Sequence, residues 1–158
     1  MYREAPHYYV PGPYTDQRSK IFLAGGIQGC PDWQREVLQE LHDADAIVFN
    51  PRRKVFPDVA AASEASCRVQ ICWEFTHIAE SDIILMWFPE ESVCPITLYE
   101  LGRITALYSD TKKLIIGTHP SYPRRVDVKV QTELATDGKV SVLHSLHEMI
   151  AAVIAALR

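Results

Sequence analysis

DIILMWFPEESVCPITLYELGRITALY (82–108) holds a strand, a loop and a helix in succession. Its first seven residues form an unbroken apolar run of the length expected for a strand buried on both faces. A polar loop follows, and Pro95, suited to a first helical turn, opens a helix predicted to reach Tyr108. The alternation recurs on both sides. KIFLAG (20–25), AIVF (46–49), KLIIG (113–117) and VSVL (140–143) read as further strands. Helices are predicted over 31–43, where Trp33, Val37, Leu38 and Leu41 fall at helical spacing, over 64–80, and beyond 143. Strands alternating with helices imply right-handed crossovers and a mainly parallel sheet of five strands covered on both faces. The expected fold class is a three-layer α/β domain, flavodoxin-like or Rossmann-like. Such sheets bind ligands beyond the carboxyl ends of their strands, at a topological switch point. That directs attention to GGIQGCPDW (25–33), PEESVCPITLYELG (89–102) and THPSYPRRVDV (118–128).

The chain has 158 residues, 47% of them apolar, which suits one continuous core and one domain over 20–158. Residues 1–19 read as an arm: Pro6, Pro11 and Pro13 exclude a regular helix or central strand, while Tyr2, Tyr8, Tyr9 and Tyr14 favour packing over a free tail. A net charge of -4 provides no basic field for a phosphate backbone, so nucleic acid is not an expected partner. The first 20 residues hold no apolar stretch of signal-peptide length, no apolar run approaches membrane-spanning length, and Cys30, Cys67, Cys72 and Cys94 lack zinc-knuckle spacing. The expectation is a cytoplasmic protein with reduced thiols and no membrane partner.

Two segments carry candidate chemistry. Gly25, Gly26, Ile27 and Gln28 form a turn through which backbone amides can approach a sugar or phosphate, although the dinucleotide fingerprint and the Walker lysine are both missing. A tight strand-to-helix turn is the plain alternative. In the second segment, Glu100 falls about one and a half turns into the helix opened by Pro95, near the positive end of its dipole, which favours an ionised carboxylate. A surface pairing with Arg103 is the competing reading.

IFLAGGI, WEFTHIAESDIIL and YELGRITAL, over residues 20–118, together resemble the nucleoside 2-deoxyribosyltransferase family and its nucleotide N-hydrolase relatives. The resemblance implies that Glu100, in the ELG motif, is the nucleophile of N-glycosidic bond cleavage or transfer. It implies that Glu74, eight residues before Asp82 where the family has Asp, holds or protonates the leaving base. Cys94 stands where the transferases carry an Asp for the sugar hydroxyls and the nucleotide hydrolases a Ser near the phosphate. Phe22 stands where the family often has Tyr. Polar groups after the fourth predicted strand, here Arg124 and Asp127, serve a neighbouring subunit's pocket in relatives, which implies a homodimer or higher oligomer. A charged loop is the alternative for that pair, and core packing is the alternative for Trp73, which otherwise stacks on a base. The reaction needs no metal or cofactor. The other functions considered are a nucleoside 5′-monophosphate N-glycosidase and a nucleotide-binding module without turnover.

Overall fold

The computed structural model describes residues 1–5, 16–53 and 63–158. The prolines of the N-terminal arm, with Tyr8, Tyr9 and Tyr14, lie outside the described residues. In chain order the elements are β1 (Tyr2–Glu4), β2 (Ser19–Gly25), α1 (Trp33–Glu40), β3 (Ala46–Asn50), α2 (Glu64–Glu80) and β4 (Ile83–Phe88). They continue with α3 (Pro95–Tyr108), β5 (Lys113–Thr118), α4 (Arg125–Ala135), β6 (Val142–Leu143) and α5 (Leu146–Ala156).

Among the described residues the sheet has six strands in the order β1-β3-β2-β4-β5-β6, and every pairing is parallel. Five strands are expected from the sequence; the sixth is β1. Tyr2 to Glu4 pair with Val48 to Asn50 at the sheet edge, and the amino-terminal nitrogen donates to the Ala46 carbonyl at 2.9 Å. A three-residue edge strand has too little pattern to be read locally, because its partner is far away in sequence. α4 is also additional: 118–128 reads as a loop, yet Arg125 onward is helical.

Alternation along the strands builds two cores. Phe22, Ile84, Met86 and Phe88 face one way and pack with Trp73 and Ile78 of α2, Leu101 and Ile104 of α3 and Val128 of α4. Ile21, Leu23, Leu85 and Trp87 face the other way, against Trp33 and Val37 of α1 and Met149 and Val153 of α5. β4 is buried at all six positions, which explains its unbroken apolar run. The helices are capped locally. Asp32, Ser63 and Ser145 each accept from a backbone N–H in the first turn of α1, α2 and α5, supplying partners that a helix start lacks.

The chain leaves β2 for β3 on one side and then crosses back to β4 on the other. Gly25 and Trp87 are level at the carboxyl ends of β2 and β4. The loops that follow them diverge and leave a crevice at the switch point. Among the described residues no helix is long and apolar enough to cross a membrane, and no cluster of three or more metal-ligating side chains occurs.

Candidate active site

A cavity of about 570 Å³ opens at this crevice, a size suited to a nucleoside-scale ligand. Phe22, Gly25, Gly26, Ile27, Gln28, Glu74, Cys94 and Glu100 all line it. Three anticipated residues do not. Trp73 is buried in the core, its ring stacked on His77 at 4.4 Å and close to Phe22 and Phe49, so it offers no face to a base. Arg124 and Asp127 pair with each other at 3.2 Å on the surface at the start of α4, away from this chain's own cavity.

The floor is a backbone turn that only glycine fits. A Cβ on Gly25 would lie 2.4 Å from the Trp87 carbonyl oxygen and 2.6 Å from the Trp33 ring. One on Gly26 would lie 2.7 Å from both the Cys30 and Cys94 sulfurs. Side chains from outside the turn hold it. Trp33 Nε1 donates to the Gly26 carbonyl at 2.8 Å, and Arg52 Nη2 donates to the carbonyls of Ile27, Cys30 and Pro31 at 3.0, 3.2 and 2.9 Å. Arg52 Nε also donates to Gln34 Oε1 at 2.9 Å. Sequence reasoning misses this clamp. Its only local signal is the Asn-Pro-Arg-Arg run that ends β3.

Cys94 forms the wall between β4 and α3 in a left-handed conformation, φ 51° and ψ 56°, which is strained for a residue with a Cβ. Its backbone N–H donates to Ser92 Oγ at 3.2 Å and its thiol to the Ser92 carbonyl at 3.3 Å. Burial pushes the thiol up to about 11, so it stays protonated and uncharged at neutral pH. Tyr122 donates to the Val93 carbonyl at 2.7 Å and ties this loop to the segment after β5.

Two carboxyl groups face the cavity from neighbouring helices. Glu74, on α2, accepts from Gln70 Nε2 at 2.6 Å. Its pKa is raised by burial, against the opposing pull of that hydrogen bond and of the Arg53 charge. Glu100, on α3, is pushed up to about 7, first by burial and then by the negative charge of Glu74, with Arg103 opposing. The helix dipole was expected to keep Glu100 ionised; desolvation and a neighbouring carboxylate outweigh it here. Surface pairing with Arg103 is not what the structure shows either. Arg103 lies over the Phe75 ring at 4.3 Å, with Nη1 buried and unpartnered. The carboxyls are coupled, because ionising one opposes ionising the other, so the pair retains a proton toward neutral pH. A glutamate pair that holds one proton can attack with one member and protonate with the other.

Arg53 and Gln70, which sequence reasoning also misses, line the same cavity on the Glu74 side. They are marked only in three dimensions, by unpartnered polar atoms.

The architecture is similar to that of a solved 2-deoxyribosyltransferase from the psychrotolerant bacterium Bacillus psychrosaccharolyticus. The two share 20% identity and superpose with a TM-score of 0.61 over 88% of this chain and 96% of that one. No curated protein sequence matches the chain. Residues 18–122 match the model of the family described as nucleoside 2-deoxyribosyltransferase like. That match spans β2 to the segment after β5 and includes both carboxyl groups and the glycine turn. The chain belongs to the nucleoside 2-deoxyribosyltransferase-like family, whose members are enzymes of glycosyl transfer or hydrolysis on nucleosides.

Proposed function

We propose that the protein cleaves or exchanges the N-glycosidic bond of (deoxy)nucleosides through a covalent glycosyl ester on Glu100. The observation that carries this reading is the pairing of Glu100 and Glu74 in one cavity, coupled so that one ionises at the expense of the other. In the first step the C1′–N bond breaks, and its electron pair leaves with the base. Glu74 gives that base nitrogen a proton. The growing positive charge at C1′ favours the ionised form of Glu100, which leaves the shared proton on Glu74 as departure requires. Glu100 then bonds C1′ through a carboxylate oxygen. A second base or a water molecule attacks C1′, releases Glu100 and returns a proton to Glu74. Cys94, a neutral thiol beside Gly26, takes no part as a nucleophile; it shapes the wall.

A second copy of the chain completes the site in this reading. Ile96, Tyr99 and Leu107 of α3 and Phe75 of α2 leave apolar surface exposed on the helices that carry the carboxyls, Tyr99 by 77%. Arg124 and Asp127, outside their own cavity, are then available to the neighbour's. Light scattering should report a dimer or higher assembly; a fully active monomer contradicts this part.

Nucleosides and nucleotides incubated with and without a second free base test the reaction. Base exchange identifies a transferase, and base release alone a hydrolase. Ligand-induced thermal stabilisation with neither product overturns the catalytic reading.

A further inference from the structure

Among the described residues, three polar atoms on side chains that line the cavity have neither a hydrogen-bond partner nor contact with solvent: Nε and Nη2 of Arg53 and Oε1 of Gln70. Buried polar groups in folded proteins are nearly all hydrogen-bonded, and each exception asks for a reason. Arg52, one residue earlier, shows the ordinary outcome, with its donors distributed over Gln34 and three carbonyls. Arg53 instead influences Glu74 through space, helping that carboxyl to ionise. The Gln70 amide can sit only one way round, because its Nε2 donates to two acceptors, the Pro51 carbonyl at 3.0 Å and Glu74 Oε1 at 2.6 Å. Its Oε1 is therefore an unused acceptor. Both residues border Glu74, so two unused donors and one unused acceptor share a wall.

We propose that this wall recognises the lactam edge of an oxo-base, the adjoining C=O and N–H of the hypoxanthine, guanine, uracil or thymine type. This assignment rests on the reading of the cavity as a nucleoside site. Arg53 donates to the ring carbonyl, and Gln70 Oε1 accepts from the ring N–H. The Arg53 and Gln70 side chains each have to shift so that these dry atoms reach the cavity that both residues already line. Adenine and cytosine carry an amino group where the matched oxo-base has its carbonyl, setting donors against the donors of Arg53. A site built around buried polar groups rejects such a ligand strongly, because those groups then stay unpaired. A 5′-phosphate is the rival occupant for a free guanidinium. The unused Gln70 oxygen disfavours it, since it presents negative potential to an anion. The same contact also aids catalysis, because a cation at the base carbonyl stabilises the negative charge that a departing base develops.

The test is equilibrium binding of hypoxanthine, adenine, 1-methyluracil and 1-methylcytosine to the Glu100→Gln protein, a measurement independent of turnover; the methyl group blocks N1 as the sugar does. Hypoxanthine should bind at least about tenfold more tightly than adenine, and 1-methyluracil than 1-methylcytosine. Arg53→Gln and Gln70→Leu, each on that background, should bring both ratios close to one, and Arg53→Lys should recover only part because the planar fork is lost. If Arg53→Gln does not fold, Gln70→Leu alone reads the ratio. Equal or inverted preference, or no binding of any base, overturns the proposal. So does an intact preference in Arg53→Gln accompanied by weaker binding of a nucleoside 5′-monophosphate. An oxo-base preference in a protein that neither releases nor exchanges a base sinks the proposed reaction and leaves this recognition standing.

Discussion

The two ends of the sheet carry hollows of nearly equal size, about 570 Å³ at the carboxyl edge and about 560 Å³ at the amino edge, but their polar groups are in opposite states. At the amino edge Asp82 Oδ2 accepts from the Lys20 backbone N–H at 2.8 Å. Lys112 Nζ, close by, donates to the carbonyls of Ala79 and Ser81 at 2.7 and 2.5 Å. These side chains are hydrogen-bonded to backbone groups and close the end of α2 and the start of β4. At the carboxyl edge Glu100 is held near neutrality without a hydrogen-bond contribution, Arg53 and Gln70 have unused atoms, and Cys94 is strained. Volume does not separate these hollows. Unused bonding capacity does, and it is the property that a ligand and a transition state can exploit.

The contrast breaks most readily at Glu100. Glu100→Gln should preserve the fold and base binding while turnover falls by several powers of ten, on the order of 4 kcal/mol or more of lost transition-state stabilisation. Steady-state rates on any accepted nucleoside measure it. A variant within tenfold of the wild-type rate removes the carboxyl pair from the account. Glu74→Gln is expected to cost roughly 10²- to 10⁴-fold for a base that departs poorly. With a base that leaves readily the loss should be much smaller, so a plot of rate against leaving-group pKa should steepen in the variant. An unchanged slope would deny Glu74 its role as acid.

Stability against pH offers a third comparison. Glu100 is raised from 4.5 to about 7. Between those values the unfolded chain gives up the proton while the folded chain keeps it. Its contribution is therefore fully present below about pH 4.5 and lost as pH rises through about 7, roughly 2–3 kcal/mol after allowance for partial exposure. His77, lowered by burial, runs the other way and loses stability as pH falls. The difference between wild type and Glu100→Gln isolates the carboxyl. Denaturant titrations should show the variant gaining on the wild type from pH 5 to pH 8, and a pH-independent gap would contradict the raised value. Smallest of all should be Asp82→Asn, which weakens one satisfied contact at the amino edge. About 1 kcal/mol of stability should go, with kcat/KM within twofold of wild type. A large loss of activity with the fold intact would mean that the two edges are not functionally distinct.

The sequence was legible where pattern is local. The runs at 20–25 and 82–88 are strands because both faces of each are buried, and Pro95 marks the start of α3 on its own. α4 escaped because its apolar residues Val126, Val128, Val130 and Leu134 alternate like those of a strand, and only Val128 and Thr132, four apart, are buried residues of the helix. Trp73 was ambiguous for a different reason: an aromatic on a helix facing a sheet has the same sequence signature whether it meets a ligand or Phe49. Glu100 and Glu74 were found through family resemblance, and their positions in one cavity are geometry. The raised pKa of Glu100 was not legible, since it depends on burial and on the charge of a neighbour 26 positions away along the chain. Arg53 and Gln70 carry no motif, and their significance is the absence of partners in the folded protein.

The central claim is a covalent bond between sugar and Glu100, and trapping it is the most direct measurement. A 2-fluoro-2-deoxy nucleoside analogue destabilises the oxocarbenium-like states on both sides of the intermediate and slows its release. Intact mass spectrometry after brief incubation should show one added sugar per chain, and peptide mapping should place the ester on Glu100 within residues 95–108. Glu100→Gln should show none. A sugar attached elsewhere, or rapid turnover of ordinary nucleosides by the Gln variant, would contradict the mechanism.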